Sequence, residues 1–375
     1  PGSNGHAFVS DSPITWDGET DAGILWKTKV PKPGMSSPIV WGNQLFLTGA
    51  DDDIRQVYCF NTENGELQWQ HDVTGISGSP PKKRLPDVSD DTGLAAPTPA
   101  TDGQRVVALF ATGDLVCLDM RGDRIWGKNL GVPDNHYGHA SSLIIQQNLV
   151  FVQYDQNQNS KLLAFDVQSG ELKWEADRGP ISWASPICIE NNGRMELILT
   201  NSESADSYDP KTGELLWHVD CLYGEVGPSA AYADGLVFVA NEYAIAAAIQ
   251  IKDHKKTPEI LWEWDEYLPN TSSPLANNDL LILATGDGIV NCLNSKTGEV
   301  HWEQDFDDGF YSSPILVSDR VYLMDLSGVM QIFKMNASFE LVGSPSLGED
   351  SFSTPAFVGE RIYIRGETHL FCVGS

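Results

Sequence analysis

Asn61-Thr62-Glu63-Asn64-Gly65-Glu66-Leu67-Gln68-Trp69 reads as a polar turn followed by a segment that carries a tryptophan, and the pattern comes back. It returns as Asp166-Val167-Gln168-Ser169-Gly170-Glu171-Leu172-Lys173-Trp174. It returns again as Asp209-Pro210-Lys211-Thr212-Gly213-Glu214-Leu215-Leu216-Trp217, and as Asn294-Ser295-Lys296-Thr297-Gly298-Glu299-Val300-His301-Trp302. Such a recurrence means one supersecondary unit used many times, so the repeat decides the architecture before any single residue does.

A second marker sets the register. Ser36-Ser37-Pro38 and its variants open each unit: Pro97-Thr98-Pro99, Ser141-Ser142-Leu143, Ala184-Ser185-Pro186, Pro228-Ser229-Ala230, Ser272-Ser273-Pro274, Ser312-Ser313-Pro314 and Ser353-Thr354-Pro355. With the third residue as anchor, the steps are 61, 44, 43, 44, 44, 40 and 41. The long first step holds an insertion over 74–92, rich in proline and charge. Each unit then shows apolar, β-branched and aromatic runs, such as Gln44-Leu45-Phe46-Leu47-Thr48 and Leu236-Val237-Phe238-Val239-Ala240, bounded by Gly, Asn and Asp. These are strand and hairpin signals, and no stretch keeps a helical period. The reading is an all-β, eight-bladed β-propeller with four antiparallel strands per blade, forming one domain over 1–375. Blades start near 36, 97, 141, 184, 228, 272, 312 and 353, behind an N-terminal extension over 1–20.

The eighth unit tests this reading, because the chain ends after its third strand, His369-Leu370-Phe371-Cys372-Val373. A strand at about 22–30, with Trp26 in the expected context, supplies the fourth and closes the ring. Closure removes free sheet edges. Unit seven places Val342 where tryptophan is expected, and unit two has Arg121-Gly122-Asp123 in place of Gly-Glu.

Composition excludes some functions. The net charge is −28, from 52 acidic and 24 basic residues, which disfavours nucleic acid and anionic lipid as partners. No apolar run reaches the length of a membrane-spanning helix. No signal-peptide or lipobox pattern is seen, and a start at Pro1 without methionine fits a processed or trimmed N-terminus. Cys59, Cys117, Cys292 and Cys372 fall at one repeat position on different blades, too far apart to bridge, so free thiols are expected.

The Gly-Glu-x-x-Trp turns and Ser-Ser-Pro openings resemble the pyrroloquinoline-quinone (PQQ) repeat family, from about Asp21 to the end of the chain. Some members of that family are dehydrogenases that hold PQQ and calcium in a central funnel. Others bind no quinone and act as docking platforms, among them the propeller lipoprotein of the outer-membrane-protein assembly machine. The compact blades resemble the second kind. Gly2-Ser3-Asn4-Gly5, the Trp16 region and Ile24-Leu25-Trp26-Lys27 also resemble single-propeller proteins of planctomycete-type bacteria. The resemblance implies a periplasmic or extracellular, monomeric protein whose partner is a protein or peptide. No cofactor is predicted, because the adjacent cysteine pair of the quinone enzymes is missing. A PQQ- and calcium-bearing dehydrogenase and a carbohydrate-binding propeller are the alternatives.

In a propeller, the connections between blades and the loops between second and third strands share one face around the channel, the default place for a ligand. His136 and His139, three apart, suit a metal or proton relay, and equally a hydrogen-bonded loop. Trp183 and Tyr311 offer stacking surfaces for a flat ligand, a sugar or a peptide side chain, and equally rim packing. Glu225, Asn241, Glu242, Tyr243, Asp325 and Glu367 bring oxygen donors for calcium, and Arg365 a partner for a ligand carboxylate. The plainer reading of these charges is a network of ties between blades. The insertion over 74–92, with Lys82-Lys83-Arg84, is expected to cover part of the funnel or to dock a partner.

Overall fold

The structure, a computed structural model, describes residues 5–7, 9, 11–251 and 257–374. Gly2, Ser3 and Asn4 lie outside the described residues. Eight antiparallel sheets are arranged as a β-propeller, with strands in sequence order from hub to rim. Blade 1 is Ile39–Trp41, Gln44–Ala50, Arg55–Asn61 and Leu67–Asp72. Blades 2 to 7 follow over 100–129, 144–177, 187–220, 231–264, 275–305 and 315–343. Blade 8 is Ala356–Val358, Arg361–Arg365 and His369–Val373, completed by Ile24–Lys29. The closing pair is antiparallel, with Trp26 opposite Cys372 and Lys27 opposite Phe371. The second and third strands of each blade are almost wholly buried, and the apolar clusters lie between neighbouring blades. All six cysteines are free.

The two sequence markers have separate mechanical roles. The second residue of each opening forms a closed circuit around the hub. The amide of Ser37 donates to Thr98 Oγ1, Thr98 to Ser142 Oγ, Ser142 to Ser185 Oγ and Ser185 to Ser229 Oγ. The amides of Ser229, Ser273 and Ser313 continue to Ser273, Ser313 and Thr354, and the amide of Thr354 returns to Ser37 Oγ. Each link is 2.9 to 3.1 Å long. In blades 1 and 7 the first residue of the opening also ties its own blade. Ser312 Oγ accepts from the Met324 amide and donates to the Met324 carbonyl, and Ser36 Oγ accepts from the Thr48 amide.

The Gly-Glu turn is a seat for the tryptophan of the preceding blade. The leading Asn or Asp tightens the turn: Asn61 Oδ1 accepts from the Glu63 amide, and Asp209 Oδ1 from the Lys211 amide. Gly65 and Gly213 then adopt φ of +70° and +74°. A β-carbon on either would lie 2.5 Å from the ring of Trp26 or Trp174. The positions therefore need glycine twice over, for its left-handed backbone and for the space. The indole N–H of Trp26, Trp69, Trp126, Trp262 and Trp302 donates to a carbonyl of the next blade at 2.8 to 3.0 Å. Trp217 instead bonds Glu196 Oε2 in its own blade at 2.8 Å.

The joint between blades 7 and 8 departs from this plan. Blade 8 has no Gly-Glu turn to receive a tryptophan, and blade 7 carries Val342. The N-terminal extension occupies the place. Trp16 is buried among Tyr322, Met324 and Ile332 of blade 7 and Ile362, Ile364 and Phe371 of blade 8. Around it, Gly18 donates to the Ser346 carbonyl, Tyr322 Oη to the Ser12 carbonyl, and Arg320 pairs with Asp11 at 2.7 Å. His6–Ala7 then adds a fifth, parallel strand beside Ile315–Val317 at the hub. The expected four strands per blade thus hold for seven sheets, and the eighth gains one from the extension.

These contacts set an order of losses. Gly213→Ala should destabilise by about 1–3 kcal/mol, because strain and collision act together. Trp16→Ala should lose about 3–5 kcal/mol as a large buried ring is removed. Ser229→Ala should lose only about 1 kcal/mol, one hydrogen bond. Urea unfolding of the three variants checks the order.

Candidate functional site

The lower face carries the turns between first and second and between third and fourth strands, including every Gly-Glu turn. The upper face gathers the second-to-third-strand turns and the connections between blades, and all the candidate residues lie there. Their roles divide.

Three candidates are tied into the walls. His139 is fully buried, and its Nε2–H donates to the Gly131 carbonyl at 3.1 Å beside the ring of Tyr154. Burial lowers its pKa to about 4. His136, three residues earlier, is exposed, so the two rings do not form a pair. Asp325 is buried and held inside its own turn by the Val329 amide, Ser327 Oγ and Gln331 Nε2. Burial raises its pKa. Arg365 is buried at the joint between blades 8 and 1. Its Nη1 donates to the Ser36 carbonyl, Ser36 Oγ and the Thr48 carbonyl at 3.1, 2.8 and 2.9 Å. Burial lowers its pKa to about 10. No carboxylate stands against it among the described residues; Nη1 alone is satisfied by the wall, and the buried Nε and Nη2 have no partner. Asn241 is also fully buried, with Nδ2 on the Tyr223 carbonyl and Oδ1 without a donor. Glu367 is exposed at the blade 8 turn.

The remaining candidates converge on one side of the mouth. The Tyr137 ring meets Trp183 edge-on at 4.8 Å and His136 at the same distance. Tyr137 Oη donates to Glu225 Oε2 at 3.2 Å, joining the connection into blade 3 to the connection into blade 5. The phenol pKa of Tyr137 rises through burial and then through the field of Glu225, with Asp91 and Tyr311 adding to it. Tyr311 behaves alike, under burial and the charges of Asp91, Glu242 and Asp287. The tyrosines of blades 3 and 7 therefore share an acidic field across the mouth. Glu242 and Tyr243 stand exposed on the blade 5 turn.

Asp91 comes from the insertion. That segment leaves blade 1, makes a short 3-10 turn at Lys82–Arg84, and pairs Lys82 with Asp53 at 3.0 Å. It then reaches the mouth, where the Ser89 amide donates to the His136 carbonyl and Thr92 Oγ1 to the Tyr137 carbonyl. Val88 fills the space that a β-carbon at Gly138 would need. Tyr137, Asp91, Tyr223 and Tyr267 were not among the sequence candidates. An aromatic on each successive connection, at Tyr137, Trp183, Tyr223, Tyr267 and Tyr311, was the signal available for three of them. Asp91 sits in a non-repeating stretch and had none.

A separate concavity of about 810 Å³ lies at the seam, lined by the extension from Asp11 to Asp17 with Arg320 and Glu360. No helix among the described residues is long and apolar enough to cross a membrane.

Fold and mouth together define an eight-bladed propeller of the PQQ-repeat type that presents an acidic, aromatic upper rim. A family model described as outer membrane protein assembly factor BamB matches residues 1–189 and 201–373, and the chain belongs to that family. BamB of Yersinia pestis is 22% identical over 289 residues, covering 74% of this chain and 66% of that protein. The tetrathionate hydrolase of Acidithiobacillus ferrooxidans is 22% identical over 353 residues, covering 80% and 64%. The chain thus spans just under two thirds of the length of these relatives. Among solved structures, BamB from Moraxella catarrhalis superposes with a TM-score of 0.68 at 16% identity, covering 93% of this chain and 98% of that one. Quinohemoprotein alcohol dehydrogenase from Comamonas testosteroni gives 0.72 at 11% identity, covering 94% and 76%.

The buried imidazole makes stability depend on pH. Folded His139 stays neutral down to about pH 4, whereas an unfolded imidazole takes up its proton near 6.5. The unfolded state therefore binds more protons in that window, and stability falls as pH drops through it, by roughly 3 kcal/mol in all. His139→Gln should flatten this slope in denaturant unfolding. A residual slope should remain from His71, whose pKa burial also lowers.

Proposed function

We propose that this protein is a non-catalytic docking platform of the bacterial envelope, engaging a protein partner through its upper face as a BamB-type propeller. The observation that carries the reading is the arc of aromatics on five consecutive blade connections: Tyr137, Trp183, Tyr223, Tyr267 and Tyr311. Tyr223, Tyr243 and Tyr267 are 63%, 57% and 50% exposed, on a face that already has a well-packed core beneath it. Exposed tyrosine and tryptophan are the residues from which protein interfaces draw most energy. Membership of the BamB family supports a periplasmic setting and a protein partner.

The same geometry argues against a quinone funnel. Asp325 is committed to internal bonds, Arg365 spends Nη1 on the wall between blades 8 and 1, and no two of the six free thiols are neighbours in sequence. The donors present do not fit a quinone-and-calcium pocket of the kind the PQQ resemblance implies. A glycan-binding propeller would use the same tyrosines, but the acidic field around them favours a protein partner over a neutral sugar.

Site-specific photocrosslinking in cells tests the proposal. A photoreactive residue at Tyr223 or Tyr311 should trap one discrete protein, and the same probe at Lys211 on the lower face should not. Crosslinks from the lower face alone would overturn the reading. So would alcohol oxidation by the purified chain supplied with PQQ, calcium and a redox dye.

A further inference from the structure

The upper mouth combines two properties that select a ligand class. Its first property is unneutralised charge. Asp91, Glu225, Glu242 and Asp287 pair with no lysine or arginine among the described residues. Deep in the walls, by contrast, Asp155 holds Arg178 with both oxygens, at 2.8 and 3.0 Å, and Asp114 holds Arg55 at 3.3 Å. The walls pair their buried carboxylates, whereas the four at the mouth stand exposed to the incoming ligand.

Its second property is aromatic surface beside those carboxylates. Tyr137 links Trp183 to Glu225 directly, through a ring contact on one side and a hydrogen bond on the other. Outward from Glu225 the surface continues in tyrosine. Tyr243 packs where a β-carbon on Gly224 would meet it at 3.3 Å, and the Tyr223 carbonyl receives Asn241 Nδ2. At the corresponding place one blade on, Tyr267 holds φ of +43°, a left-handed backbone that a bulky residue rarely adopts.

We propose that this mouth receives a lysine- or arginine-bearing segment of the partner protein. The cationic head lies among Asp91, Glu225 and Glu242, and the side-chain stem lies on Tyr137, Trp183 and Tyr311. The inference rests on the docking-platform reading and names the chemistry of its partner. Electrostatics favours a cation, because several carboxylates around one opening make its potential negative and attract an incoming positive charge. The rings favour an organic cation over a bare metal ion. An ammonium or guanidinium gains from aromatic faces, whereas calcium asks for six to eight oxygens in a close shell. No group of three or more metal-ligating side chains is gathered among the described residues. The insertion reaches the mouth only at its acidic end, which brings Asp91 while Lys82 stays paired at the rim of blade 1.

The test is a calorimetric titration of the full chain with three peptides of equal length: one rich in lysine and arginine, one neutral, one acidic. The cationic peptide should bind, with affinity falling as salt rises. The Asp91→Asn/Glu225→Gln double variant should weaken it by about tenfold or more, and Trp183→Ala by a similar factor, with melting temperatures near that of the parent. Glu214→Gln on the lower face should change nothing. Equal binding of the neutral or acidic peptide would overturn the inference, as would parental affinity in the double variant or displacement of the peptide by calcium alone. Photocrosslinking separates this inference from the broader reading. A partner trapped equally by parent and double variant leaves the platform standing and removes its cationic preference. No trapped partner at all removes both.

Discussion

Eight hydrogen bonds running head to tail around the hub govern this structure. Each joins a backbone amide to the hydroxyl of the next blade, from Ser37 through Thr98 and onward until Thr354 returns to Ser37. An amide at the start of an inner strand needs an acceptor, and without the neighbouring hydroxyl it would depend on water. The circuit solves that problem for every blade by the same device. It also fixes the angle between neighbours, since a hydroxyl on a short side chain leaves little slack. A ring with one wedge more or fewer would stretch every link at once.

The second constraint acts farther out and on the opposite face. Tryptophan against glycine at the Gly-Glu turns locks neighbouring blades together on the lower side. This division explains why the upper face is the free one. Its loops carry no share of the tryptophan locks, so their composition is released from the demands of closure. Aromatic and acidic residues gather there without disturbing the repeat. The seam between blades 7 and 8 shows how strong the demand for a lock is. Where the repeat supplies neither glycine turn nor tryptophan, the extension brings Trp16 from outside the series.

The fold was legible in the sequence because its evidence is periodic. Four full turns, eight openings and a missing last strand were enough to pair the strand of Trp26 with His369–Val373. The purpose of the openings was not legible, since each hydroxyl serves a residue 40 or more positions away. Trp16 was equally hidden, because it stands in a stretch with no repeat to compare it with. Candidate site residues were recognisable by type but not by direction. His139, Asp325 and Arg365 have the chemistry of ligand-binding groups, yet each turns into the wall and bonds there. Trp183 and Glu225 do meet across the mouth, but through Tyr137, which lay unnoticed between two more conspicuous histidines.

The pairing of Ile24–Lys29 with His369–Val373 has a consequence for biogenesis. The first true strand of the polypeptide waits for the last one before it finds its neighbour. During synthesis the growing arc therefore carries two raw margins, and no earlier stopping point offers a finished object. Such a contact spans nearly the whole chain, and its slow formation keeps the nascent molecule pliable until its final residues emerge.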